Sequence, residues 1–241
     1  MSSDFRSSFH DDLADVRIGV ARLSAGVTEL VPRATEILLG ADLEGAEYLI
    51  LGDSEYDAKS IELEERCFSL IVLQAPVAND LRELVSAVKI VADIERSADL
   101  CVNICKAARR IYSHSLDANL RGMIQKCGQQ ASLLFKETTE AYLARDGVRA
   151  SALPDMDGYL DDLHRQFIQV IFESHAAGTI DLQVAVQLAL VARFYERIGD
   201  HAVNVAERTR YIVDGWLPEH SGVEGEIAGP IADDQPPLSQ D

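Results

Sequence analysis

Acidic residues stand four positions apart at several places in the sequence. Glu95 and Asp99 form one such pair, and Glu196 and Asp200 form another, each within a stretch whose apolar residues recur at helical spacing. Residues four apart share a helix face, so both carboxylates of a pair lie on the apolar side. Burial of such a pair is costly unless a cation or a hydrogen-bond donor compensates. The spacing therefore leaves two interpretations, metal ligands or a solvated acidic edge.

The acidic pairs belong to an internal duplication. Moving the sequence by 101 positions aligns these two pairs, and moving it by 104 positions aligns two further acidic pairs that precede them. A repeat of this length indicates two copies of one structural unit. The candidate metal ligands are Asp53, Asp57, Glu95 and Asp99 in the first copy, and Asp157, Asp161, Glu196 and Asp200 in the second.

Turn positions predict that the pairs within one copy meet. Asp57 and Glu95 are equally far from Pro76, which ends a helical stretch. Asp161 and Glu196 are almost equally far from Gly178. Antiparallel helices lie about 8–10 Å apart, so residues equidistant from the turn between them become neighbours. Four carboxylates at one height would protonate or bind a cation, which favours metal over a solvated edge.

The types of the candidate ligands limit which metal ions they could bind and which reactions they could support. Ligation by oxygen alone suits hard divalent or trivalent ions, and the candidates are iron, zinc, manganese and magnesium, with calcium also compatible. A ferritin-like di-iron enzyme would need Glu-x-x-His on two helices, but Ala98 and Gly199 stand at those positions. His201 points about 100° away from Asp200, so it either supports a metal ligand or is a satisfied or exposed histidine. The sequence holds no catalytic constellation, so we expect no enzyme.

The elements that must position these residues are helices. The first copy reads as a helix from residue 5 to about 39, interrupted and kinked at Pro32, and a second over 43–74 with an irregularity at Gly52-Asp53. A third helix, capped by Asn79 or Asp80, runs to about Tyr112.

The second copy repeats this plan. Its helices are predicted over 120–145, from Pro154 or Asp155 to the turn at Gly178-Thr179, and onward to about Val213. We therefore predict an all-α fold of two tandem three-helix bundles with six long helices. The first bundle takes 1–112, a linker 113–119, the second bundle 120–216 and an acidic disordered tail 217–241.

Composition excludes several classes of partner. The chain of 241 residues has a formal net charge of −18, which makes nucleic acid and anionic lipid poor partners. No apolar run is long enough to span a bilayer, and the N-terminus lacks the apolar core of a signal peptide. We expect a cytoplasmic protein. Cys101 and Cys105 share a helix face, where buried reduced thiols are favoured over a soft metal site.

These motifs resemble the PhoU family of bacterial phosphate-transport regulators. The family's duplicated acidic motif is similar to Glu95-Arg-Ser-Ala-Asp99 and Glu196-Arg-Ile-Gly-Asp200. The turn Gln74-Ala-Pro76-Val-Ala-Asn-Asp80-Leu-Arg82 also resembles the family's turn between its second and third helices. Ser97-Ala98 stands where the family has Ile-Gly, and Gln183 is the counterpart of Arg82.

The resemblance implies a metal-cluster protein without turnover, often a homodimer and peripheral to the membrane. It would couple the ATPase and membrane components of the high-affinity phosphate ABC transporter to a sensor histidine kinase. It would also repress the phosphate-starvation response. The alternatives are an accessory protein of a low-affinity phosphate or metal transporter, and a carboxylate-bridged metal-dependent enzyme.

Overall fold

A computed structural model describes residues 2–215, with side chains from residue 8 onward. The described chain is helical throughout, with six long helices, one five-residue helix and no strand. The predicted all-α fold is confirmed. The helices are α1 Ser2–Gly40, α2 Leu43–Gln74, α3 Ala78–Ile111, α4 Ala118–Ala144, α5 Gly147–Ser151, α6 Leu153–Ala176 and α7 Leu182–Asp214. The predicted tail over 217–241 lies outside the described residues.

Pro32 lies inside α1 without ending it, which contradicts the predicted interruption. A proline at this position has no N–H for the carbonyl oxygen of Thr28, four residues earlier. The hydroxyl of Ser132 in α4 donates a hydrogen bond to that carbonyl at 3.0 Å instead. The neighbouring helix thus satisfies the acceptor that the proline leaves open.

Three local predictions in the first copy and the linker need correction. The helix α2 continues through Gly52-Asp53 without the predicted irregularity, because neither residue prevents helical backbone angles. The N-cap of α3 is Val77, which has no side-chain hydrogen bond, rather than Asn79 or Asp80. The helix α4 starts inside the predicted linker because Asp117 accepts hydrogen bonds from the N–H groups of the next turn.

The second copy adds a short helix that the sequence did not indicate. α5 begins after Asp146, whose carboxylate accepts from the N–H of Arg149, and it ends before α6. The helix α6 begins at Leu153, just before the predicted start at Pro154 or Asp155, and the predicted turn at Gly178-Thr179 is confirmed. Asp181 then caps α7 through the N–H of Val184.

The two copies share one apolar core. α1, α2 and α3 pack together, as do α4, α6 and α7, and the copies join where α1 meets α4 and α3 meets α7. Buried hydroxyls are paired across this junction: Ser24 with Thr139 at 2.5 Å, and Thr35 with Tyr195 at 2.7 Å. Pairing removes the cost of leaving these groups unsatisfied. Within the described range, no helix is both apolar enough and long enough to serve as a membrane span.

Candidate metal centres

The first acidic group is built where α2 and α3 run side by side. Asp53 and Asp57 project from one face of α2, and Asp99 comes from α3. One carboxylate oxygen from each of the three lies within 4.8 Å of the others, and all three side chains are half-buried. This separation is short enough for one cation to contact all three residues. Among the described residues, three acidic side chains come this close only here.

Glu95 lies next to this group without being one of the three. Burial raises the pKa of Glu95, and the negative charges of Asp99 and then Asp57 raise it further. Burial likewise raises the pKa of Asp53, followed by the charges of Asp99 and Asp57. Burial and the charge of Asp57 raise the pKa of Asp99, and Lys106 opposes that shift. The four predicted residues therefore form one electrostatically coupled set that favours a cation or protons.

In the second acidic group, Asp157, Asp161 and Glu196 are half-buried and Asp200 is exposed. Burial, followed by the charges of Asp161 and Asp200, raises the pKa of Asp157 to about 6. The Oδ1 atom of Asp157 and the Oε2 atom of Glu196 are both buried, and neither has a hydrogen-bond partner among the described residues. Buried carboxylate oxygens without donors are costly, and a bound cation is one way to satisfy them.

Gly199 leaves room for the buried Oδ1 atom of Asp157. A Cβ atom at Gly199 would lie 2.3 Å from Oδ1 of Asp157 and 2.7 Å from Cδ2 of Leu160. Real Cβ contacts are not this short, so a side chain at position 199 would push the carboxylate or the leucine away. The aligned residue in the first copy is Ala98, which carries the Cβ and is buried. The two acidic groups therefore differ at the point where the second helix of each copy meets the third.

An arginine and a histidine lie beside the second group. Arg193 donates a hydrogen bond to Oε1 of Glu196, whereas Ala92 is the aligned residue in the first copy. Burial and the charge of Arg193 lower the pKa of His164, while Asp161 acts in the opposite direction. The sequence analysis did not single out His164. The spacing Asp161-x-x-His164, which puts both on one face of α6, could have identified it.

His201 takes part in a different contact. Its Nδ1 atom is 2.9 Å from Oδ1 of Asp93 in α3, and Asn204 donates to the same oxygen at 3.2 Å. This contact joins the third helices of the two copies. The sequence analysis did not single out Asp93 as a partner, because contacts between repeats leave no periodic signal. The histidine is thus bonded across the junction.

The cysteines are not part of either group. All four are free and buried, and burial raises the pKa of Cys105 to about 11. Burial also raises the pKa of Cys101, and the charge of Cys105 adds to that shift. Protonated, buried thiols act as small apolar side chains. This agrees with the favoured interpretation of Cys101 and Cys105.

Comparison with known proteins identifies the family. The family described as PhoU domain matches residues 20–108 and again 124–209. The chain belongs to the PhoU family. Each PhoU match contains one of the two acidic groups, so the repeated family domain and the repeated carboxylates coincide.

Individual PhoU proteins resemble the chain over most of its length. The Mycobacterium leprae phosphate-specific transport system accessory protein PhoU homolog 1 is 35% identical over 91% of this chain and 99% of its own. Homolog 2 of Mycobacterium tuberculosis is 37% identical over 88% of this chain and 100% of its own. The crystal structure of PhoU from Pseudomonas aeruginosa shares the fold with a TM-score of 0.81 and 24% identity, covering 86% of this chain and 100% of that one.

Proposed function

We propose that the protein regulates phosphate homeostasis as an accessory of a high-affinity phosphate transporter. The observation that carries this proposal is the match to relatives named phosphate-specific transport system accessory proteins, which extends over 99% and 100% of their lengths. The same names favour a binding protein over an enzyme. The proposed partners are the ATPase and membrane components of the transporter and a sensor histidine kinase, whose starvation signal the protein represses. We place it in the cytoplasm, at the membrane but not inserted, and as a homodimer.

We further propose that both acidic groups hold metal ions. Asp53, Asp57 and Asp99 fit a hard cation because their oxygens lie together, with Glu95 adjacent. Asp157 and Glu196 fit one because each has a buried oxygen without a donor, with Asp161 and Asp200 beside them. A bound cation would neutralise the repulsion between carboxylates and hold the second helix of each copy against the third.

Metal content tests the sites directly. Protein purified without chelator should contain metal by mass spectrometry, and the change of Asp57→Asn with Asp99→Asn should remove the share bound by the first group. The change of Glu196→Gln with Asp200→Asn should remove the share bound by the second. Asp162→Asn is the control, because Asp162 is exposed and pairs with Arg165 next to the second group. Metal content that none of these changes alters would refute the proposed sites.

A genetic experiment tests the regulatory role. A strain lacking the gene should express phosphate-responsive genes in phosphate-rich medium, and the wild-type gene should restore repression. The two double variants should restore it poorly, whereas Asp162→Asn should restore it fully. Unchanged signalling and unchanged phosphate uptake after deletion, in a strain without a second copy, would refute the phosphate-regulator proposal. Altered low-affinity uptake with intact starvation signalling would support the low-affinity accessory instead.

A further inference from the structure

The two copies differ in the space between their first two helices. In the first copy, a cleft of about 630 Å³ separates α1 from α2. Gly19, Lys59 and Leu63 line it, and the residues aligned with them in the second copy are Met123, Leu163 and Phe167. All three of those residues are buried. In the second copy, large apolar side chains therefore fill the space that the first copy leaves open.

Two contacts between the helices close the ends of the cleft. At one end, Arg66 of α2 forms ion pairs with Asp15 at 2.8 Å and Asp12 at 3.2 Å. At the other end, the hydroxyl of Tyr56 donates to the carbonyl of Leu23 at 2.6 Å. Asp15 and Leu23 are separated by about 12 Å along α1. The open part of the cleft is therefore short.

The lining of the cleft combines an apolar floor with a charged rim. Leu23 and Leu63 form the floor, and Leu63 packs directly against Gly19. Ile18 is the large apolar side chain exposed beside it. A helix from another protein would need a continuous apolar stripe against which to dock, and one exposed isoleucine does not provide it. A slender apolar molecule fits these dimensions, since small-molecule sites range from about 300 to 1,000 Å³.

One cation at the mouth of the cleft has no ion-pair partner among the described residues. Arg22, Lys59 and Arg66 line the cleft together with Asp15 and Glu62. Arg66 pairs with Asp15, and Lys59 pairs with Glu55 on the same helix at 2.8 Å. Arg22 is exposed and forms no ion pair with any residue in the described part of the chain. Its guanidinium group is available to an anionic group at the mouth of the cleft.

We propose that the cleft between α1 and α2 binds a small amphiphilic anion, a molecule with a slender apolar body and one anionic group. Aryl sulfonates and medium-chain carboxylates belong to this class. The apolar body occupies the space above Gly19 and Leu63, and the anionic group pairs with Arg22. The second copy has no equivalent site because Met123 and Phe167 occupy the space.

Anilinonaphthalene sulfonate, a fluorescent aryl sulfonate, is the probe for this site. Titration of the full-length protein should saturate at one probe per chain. The amide resonances of Gly19 and Gly26, which lie in the cleft wall, should shift as it binds. The change Gly19→Met places the second copy's side chain in the cleft, where its Cβ lies 2.9 Å from Cδ1 of Leu63. We expect this change to weaken binding about tenfold or more.

A matched control separates cleft filling from helix stabilisation. Gly122→Met makes the same substitution in α4, where a Cβ has open space around it, and it should leave probe binding unchanged. Arg22→Gln should weaken binding about two- to fivefold, and Glu62→Gln should strengthen it. Lys126→Gln removes the exposed cation aligned with Arg22 and should have no effect. Circular dichroism and thermal unfolding check that each variant is folded.

Several outcomes would overturn the proposal. One is the lack of saturable binding by folded wild-type protein. Another is resonance shifts confined to residues outside the cleft, and a third is equal effects of Gly19→Met and Gly122→Met. If Gly19→Met instead converts a wild-type dimer into a monomer in sedimentation, a second copy of the chain covers the cleft. The small-molecule proposal would then be wrong.

Discussion

Gly199 of α7 lies directly against the carboxylate of Asp157 in α6. Because a Cβ at this glycine would be 2.3 Å from Oδ1 of Asp157, the aspartate reaches its buried position only beside a residue without a side chain. A glycine within a helix costs about 1 kcal/mol relative to alanine. The close approach of Asp157 to α7 therefore requires a glycine that makes this helix less stable.

Gly199→Ala should therefore destabilise the protein although it improves helix propensity. We expect overpacking to cost about 1–3 kcal/mol against a gain of about 1 kcal/mol in propensity, which gives a net destabilisation of up to about 2 kcal/mol. Urea unfolding gives the free energy. Gly122→Ala is the control, since its Cβ would meet no atom within 4 Å, and it should stabilise by up to about 1 kcal/mol. Equal stabilisation by both changes would mean that Asp157 does not need the space.

The raised pKa of Asp157 predicts how stability without metal depends on pH. Its folded-state value of about 6 exceeds the ordinary value of 3.8, so folding favours the protonated form. This contribution to stability is complete below the ordinary pKa and is lost as the pH rises through about 6. In chelator, Asp157→Asn should have stability similar to wild type near pH 4 and higher stability near pH 7.5.

Denaturant unfolding at both pH values measures this difference, which isolates Asp157 from the other titrating groups. Asp162→Asn should show no such increase, because Asp162 is exposed. Metal binding at the second group should weaken as the pH falls below about 6, since protons compete for the carboxylate. A constant difference between Asp157→Asn and wild type across this range would contradict the assigned pKa.

The pair of His201 and Asp93 should contribute to the stability of the junction between the copies. Removing the imidazole with His201→Ala leaves a carboxylate that is 13% exposed with one fewer partner, at a cost of about 1–3 kcal/mol. His114 and Asp181 form an exposed pair at 3.2 Å, and His114→Ala should cost less than about 0.5 kcal/mol. Thermal unfolding compares the two. Similar losses would mean that the buried contact has no special role.

The hydrogen bond from Ser132 to Thr28 should be coupled to Pro32. Ser132→Ala should cost about 1 kcal/mol because the Thr28 carbonyl loses its donor. Pro32→Ala restores a backbone N–H that can reach this carbonyl, so Ser132→Ala should cost less in that background. A double-mutant cycle by urea unfolding measures the coupling. Strictly additive effects would indicate that the serine does not substitute for the missing N–H.

Much of the helical layout and the candidate ligands could be derived from the sequence. Helical periodicity and the turns at Pro76 and Gly178 are local signals, so they located the long helices and predicted that the acidic pairs of each copy lie at one height. The duplication added a second test of the same pattern, since Glu95 and Glu196 recur in equivalent surroundings. These features depend on neighbours within a few residues or within one repeat, and such neighbours are visible in a linear sequence.

The differences between the copies were decided by tertiary structure. Ala98 and Gly199 differ by one methyl group, and its effect depends on how closely the neighbouring helix approaches. Asp93 and His201 are distant in sequence and meet only because α3 packs on α7. The cleft beside Gly19 exists because the side chains around it do not fill the space between two helices. Contacts and voids of this kind are properties of packing, which helical periodicity does not record.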